Sequence, residues 1–165
     1  MDIKKTANLL LNFTINRLAE IFGLIISSAG ALIFIALLSY SPEDPNFIFP
    51  DNTEIKNILG FRGSFVSDLF LQSFGLMSYL ISLTLIVTGI NIFRTKEFFL
   101  IIENIFFSIA YLIFGTLFLT FFYSNTFTIY INGNGGFVGS VSYTHLRAHE
   151  TLMNLVCRLL LEKKK

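Results

Sequence analysis

Three apolar runs, each long enough to cross a bilayer, dominate this chain and leave few folds open to it. They cover residues 18–40, 66–93 and 98–123, and at about 1.5 Å rise per residue each spans a hydrocarbon core about 30 Å thick. Charges are confined largely to the breaks between the runs. A soluble domain surrounds its core with a shell in which about a quarter of all residues are charged; here 14% are charged and 53% are hydrophobic, twenty of them Phe. Inside lipid every backbone N–H and C=O must be satisfied by the protein itself, which selects helices. The expected fold is all-α, a transmembrane helical bundle with three clear spanning helices. A cytoplasmic segment 1–17 precedes it, and an outer loop 41–63 follows the first span.

That loop carries all three prolines, Pro42, Pro45 and Pro50, and the acids Glu43, Asp44, Asp51 and Glu54. Proline disfavours helix in the residue before it, so the first span should stop abruptly there. Orientation follows from Lys and Arg, which concentrate on cytoplasmic flanks. Lys4, Lys5 and Arg17 precede the first run and Arg94 and Lys96 follow the second, whereas the loop holds only Lys56 and Arg62, and residues 124–140 hold no charge. The amino end is expected inside and the loop outside. No small-residue cleavage site interrupts the long first run, so it is read as retained rather than as a signal peptide.

Small residues at helical spacing mark candidate packing faces. Gly23, Ser27 and Ala31 recur every fourth residue in the first span; Ser78, Ser82 and Gly89 share a side of the second; Ser108 and Gly115 lie seven apart in the third. Asp68 is placed at the interface, near the loop. Glu103 is within reach of the interface or of Lys96. Residues 126–140 read either as a hairpin around Asn-Gly or as a loop whose glycines introduce another membrane helix.

The end of the chain has a different character. Residues 1–140 contain seven Lys and Arg against nine Asp and Glu, while residues 141–165 contain five against two, together with both histidines, His145 and His149, and the single cysteine, Cys157. A metal site in the first 140 residues therefore has neither thiol nor imidazole. His145 and His149 with Glu150 and Cys157 lack the ligand pattern of a known site. Neither a cofactor nor a catalytic residue is expected.

The most specific signal is an ordered series of motifs: Leu38-Ser39-Tyr40-Ser41-Pro42-Glu43-Asp44-Pro45, then Asn57-Ile58-Leu59-Gly60-Phe61-Arg62-Gly63, then Val66-Ser67-Asp68-Leu69-Phe70-Leu71-Gln72-Ser73-Phe74-Gly75. The series resembles the N-terminal four-helix membrane region of the FtsK/SpoIIIE family of DNA translocases. That family has Ser-Tyr-x-x-x-Asp-Pro, Asn-x-x-Gly-x-x-Gly and Ala-Asp-x-x-x-Gln-x-x-Gly in this order. The matching positions are Tyr40, Asp44, Pro45, Asn57, Gly60, Gly63, Asp68, Gln72 and Gly75; Ser67 stands where the family usually has alanine. The resemblance covers residues 15–140, with Gly135-Gly136 similar to the start of the family's fourth helix. It implies a chain cut short before that helix. Residues 141–165 resemble instead a peptide that recurs at the ends of truncated reading frames and is attributed to translated sequencing adapter.

What the resemblance implies is a subunit of a septal, ATP-driven DNA pump in the bacterial inner membrane, active in cell division and chromosome partition. Its implied partners are the bilayer, other membrane-bound cell-division proteins and further copies of itself. No Gly-x-x-x-x-Gly-Lys-Ser/Thr phosphate loop is present, so ATP binding is not expected of these residues, and without a basic face neither is direct nucleic-acid binding. A small channel or transporter subunit is the competing reading, and it requires polar groups converging in the spans. A metalloprotease built on the tail histidines is the enzymatic one.

Overall fold

The computed structural model describes residues 3–45, 55–97, 99–123 and 133–148. Four helices are complete within them: α1 (Ile3–Leu38), α2 (Gly60–Phe74), α3 (Met77–Thr95) and α4 (Phe99–Phe122). Residues 136–148 are helical as well, and no strand occurs among the described residues. Three segments are long and apolar enough to cross a membrane, Leu9–Leu38, Met77–Thr95 and Ile101–Phe122. Among the described residues the fold is thus all-α, with three helices long and apolar enough to span a membrane.

Two elements depart from the expectation. Helix begins at Ile3, so most of the segment 1–17 continues α1 instead of preceding it. The apolar run 66–93 is two helices, not one. Drawn as a single helix it would measure about 42 Å, well beyond the thickness of the hydrocarbon core. The break is Gly75, at φ +58°, whose N–H bonds the Leu71 carbonyl at 2.8 Å in a left-handed cap. Leu76 N–H then donates to the Asn134 carbonyl at 3.0 Å. A Cβ at Gly75 would strike that same carbonyl, so the position excludes side chains on two grounds.

The helices form two compact units. The first joins the chain up to Leu69 with Ser78–Tyr111, and its frame is the antiparallel pair α1 and α3. Contacts link residue 20 to 96, 23 to 93, 27 to 89, 30 to 86 and 37 to 79, so every pair of numbers adds to 116 and one register holds along the whole seam. Glycine makes this approach close enough for backbones to touch: a Cβ at Gly23 would lie 2.7 Å from Phe93 N, and one at Gly30 2.9 Å from Ile86 N. By the same register Thr95 is level with residue 21. Residues 3–20 of α1 therefore run about 27 Å beyond the end of α3. Leu9, Leu10, Leu11 and Phe13 in that extension are each at least 60% exposed.

The second unit joins Phe70–Met77 with the chain from Leu112 onward. Here the helical residues 136–148 meet the C-terminal half of α4 through glycine. Gly135 and Gly139 face Thr120 and Thr116, with a Cβ at Gly139 only 2.6 Å from the Thr116 carbonyl. The Tyr143 and Phe121 rings are 6.3 Å apart. A further helix is thus present after α4, and it continues past residue 140. Its contacts fade after Tyr143, and residues 144–148 are all exposed. The hairpin considered for 126–140 falls partly outside the described residues; its described part, from 133 on, is a turn followed by helix.

Burial follows the rules of lipid rather than of water. Ser64, Ser67, Ser78, Ser82 and Thr116 are at most 2% exposed, while Phe106, Phe107, Phe114 and Phe118 on α4 are each more than half exposed. Small and hydroxylated side chains let helices approach, and the large apolar ones face outward because hydrocarbon satisfies them there.

Candidate functional site

Of the residues singled out by the motif series, Tyr40, Asp44, Pro45, Asn57, Gly63 and Asp68 converge where α1 ends, while Gln72 and Gly75 belong to the second unit. The last carbonyls of a helix have no partner within it, and at the membrane surface each needs one. Ile35 O accepts from Ser39 N–H at 3.1 Å and from Ser39 Oγ at 2.9 Å. Ala36 O accepts from Asn57 Nδ2 at 3.0 Å, and Leu37 O from the Tyr79 hydroxyl at 3.1 Å. Asn57 Nδ2 also reaches Ser39 O at 3.3 Å. With its other amide atom, Oδ1, Asn57 accepts from Leu59 N–H at 3.0 Å, which caps the entry to α2. One buried side chain thereby closes one helix and opens the next.

Asp44 fixes the loop in the same place. Only 5% exposed, its carboxylate accepts Lys56 N–H at 2.9 Å and Asn57 N–H at 2.9 Å. Pro45 O accepts from Ser64 Oγ at 3.0 Å. Tyr40 OH donates to Asp68 Oδ1 at 3.1 Å, so Asp68, in the middle of α2, has a defined partner. Gly63 packs against Asn57, whose Oδ1 a Cβ there would strike, and Gly60 takes φ +66° at the first position of α2. Outside this knot Lys56 Nζ donates to the Glu43 carboxylate. That hydrogen bond first, and the charge attraction second, hold Glu43 below its ordinary 4.5 and Lys56 above its ordinary 10.5.

The opposite end of the α1–α3 pair carries a small ionic cluster. Glu20 accepts from Arg17 Nη1 at 2.6 Å and pairs with Lys96 Nζ at 2.9 Å. Lys96 thus meets Glu20 rather than Glu103, which is exposed on α4; Glu20 is nearer because the register sets residue 20 against 96. Lys96 also holds a left-handed φ of 62°, and its N–H closes the end of α3 on Ile92 O at 2.8 Å.

Residues 16–161 match the family model of the 4TM region of DNA translocase FtsK/SpoIIIE. The chain belongs to that family. The FtsK/SpoIIIE match continues past residue 140, the limit expected from the motifs, in keeping with helix through residues 136–148. Among curated relatives, the DNA translocase FtsK of Shewanella oneidensis is 34% identical over 126 residues, covering 72% of this chain and 14% of that protein. That of Rhizobium meliloti is 29% identical over 98 residues, 59% of this chain and 11% of that protein. That of Caulobacter vibrioides is 33% identical over 73 residues, 44% and 9% respectively. The chain thus spans only a small part of the length of these relatives. No solved structure matches it.

Set against the FtsK/SpoIIIE motifs, the packing expected from sequence is partly realised. Gly23, Ser27 and Gly89 lie together in the α1–α3 seam, and Gly30 makes a further close approach there. Ser78 and Ser82 are fully buried. Ser108 and Gly115, seven apart along α4, fall in different units: Ser108 belongs to the first and Gly115 to the second, where it abuts the Met77 side chain. Gln72 is half-buried on α2. Sequence reasoning missed two polar contacts between α3 and α4, Thr84 Oγ1 with Tyr111 OH and Asn104 Nδ2 with Thr88 Oγ1, both 3.0 Å. Their spacings, four along α3 and seven along α4, were the available signal. No group of three or more His, Cys, Asp or Glu side chains converges among the described residues. His145 is exposed, and His149, Glu150 and Cys157 lie outside the described residues.

Proposed function

We propose that this chain is the membrane-anchoring and interaction module of a septal DNA translocase involved in cell division and chromosome segregation. It acts by position and contact, not by catalysis: the 165 residues hold no phosphate loop, and the polar groups of the loop knot are engaged in capping α1 and holding the loop. The observation that carries the reading is the match of residues 16–161 to the FtsK/SpoIIIE membrane region. The structure supports it with a bundle whose motif residues lock a surface loop. The module sits in the bacterial inner membrane with its amino end in the cytoplasm, as the Arg17, Arg94 and Lys96 end indicates. Its contacts are with other membrane-bound division proteins and with further copies.

The test uses a Cys157→Ser background carrying either Asn46→Cys or Glu97→Cys, treated in whole cells with a membrane-impermeant maleimide. Labelling at position 46 and protection at 97 is expected. The opposite pattern would overturn the orientation, and an even membrane distribution of a fluorescent fusion in dividing cells would overturn the septal assignment.

A further inference from the structure

Beside the closest approach of α1 and α3 the first unit leaves a groove of about 220 Å³, lined by Gly23, Leu24, Ser27, Gly89, Ile90 and Phe93, with Arg94 at its rim. Glycines 23 and 89 line it where the two backbones touch. Its wall is almost wholly apolar, and it lies within a spanning pair, so in a bilayer it holds acyl chain rather than water. The rim differs from the wall. Arg17 and Lys96 share Glu20, whereas Arg94 is exposed and makes no ion pair among the described residues. By the antiparallel register Arg94 is level with residue 22, at the charged end of the pair. The groove descends from it along Ile90 and Gly89 for about one and a half turns.

We propose that this groove binds an anionic phospholipid, its phosphate on the Arg94 guanidinium and one acyl chain along Leu24, Ser27, Ile90 and Phe93. An uncompensated planar cation above an apolar channel complements a phosphodiester above a hydrocarbon tail. The occupant is a lipid and not a second protein because the charge sits only at the head-group end. A zwitterionic lipid brings its own ammonium and gains less from the same arginine. A bulk effect of surface charge would instead depend equally on every cation at this end.

The experiment reconstitutes the whole chain in phosphatidylcholine and measures, by electron spin resonance, the motionally restricted fraction of chain-labelled phosphatidylglycerol and phosphatidylcholine. Phosphatidylglycerol should associate about fivefold more strongly with the unmodified protein. Arg94→Gln should bring the ratio close to one, and Arg17→Gln, which removes the same charge at the same end, should leave it unchanged. Leu24→Trp fills the groove with Arg94 intact and should also lower the preference. No preference in the unmodified protein, equal losses in Arg94→Gln and Arg17→Gln, or full selectivity in Leu24→Trp would each overturn the site.

Discussion

Asp44 is held by two backbone N–H groups in a place nearly closed to solvent, and hydrogen bonds to a charged acceptor contribute about 1.5–3 kcal/mol each. Asp44→Ala should therefore cost about 3 kcal/mol and free the loop, read as earlier denaturation of the micellar protein by circular dichroism and faster proteolysis between α1 and α2. Unaltered loop proteolysis would contradict the role. Lys96 presents a sign rather than a size. In Lys96→Ala the pair with Glu20 is lost and the left-handed φ retained, whereas Lys96→Gly loses the pair and relieves the backbone. The glycine variant should be more stable than the alanine variant by about 1 kcal/mol in the same assay. Glu43 and Lys56 set a shallow pH dependence. With the Glu43 pKa lowered, its contribution is present above 4.5 and disappears as pH falls through the lowered value. With the Lys56 pKa raised, its contribution is present below 10.5 and disappears as pH rises through the raised value. Both side chains are exposed, so screening keeps the effect small. Glu43→Gln should abolish the acid limb of this dependence, seen as a flatter stability curve below pH 4.5.

Among the elements, the α1–α3 seam depends on the absence of side chains. Gly89→Leu would press into Ser27 and the Gly23 carbonyl and should destabilise the pair by about 1–3 kcal/mol or more, while Leu83→Ile, on an exposed position of the same helix, should be nearly silent. Denaturant midpoints of the two variants check the contrast. Much of this seam was legible in advance: Gly23, Ser27 and Gly89 announced themselves by spacing. Gly30, which the every-fourth spacing passed over, lies in the seam because contacts between paired helices recur every seven residues. Seven residues rotate a straight helix by only about 20° from the seam, whereas eight rotate it by about 80° the other way. Gly75 was harder to read. A helix-ending glycine and a packing glycine look alike within an apolar run, and only the excess length of 66–93 betrayed the break. The knot of Tyr40, Asp44, Asn57 and Asp68 was legible as a motif, but its purpose was not, since capping partners distant in sequence appear only when α1 and α2 are brought together. The α3–α4 polar pairs stayed hidden because Thr, Tyr and Asn hardly alter the hydropathy of the runs that contain them.

For the molecule as a whole, the bilayer is the missing half of the core. The stretch of α1 level with α3, residues 21–38, measures about 27 Å, and α3 itself about 28 Å. Stability should therefore peak in bilayers with a hydrocarbon core near 30 Å and fall in thicker ones by fractions of a kcal/mol per Å. Thermal unfolding in nanodiscs graded from myristoyl to erucoyl chains tests this, and a steady gain with thickness would rule it out. The extension of α1 adds a mechanical consequence. Helix is continuous from Ile3 to Leu38, with no joint where the spanning part begins. A tug or twist applied near Ile3 is transmitted along a stiff lever, and the Glu20–Lys96 pair and the glycine seam beyond it bear the torque.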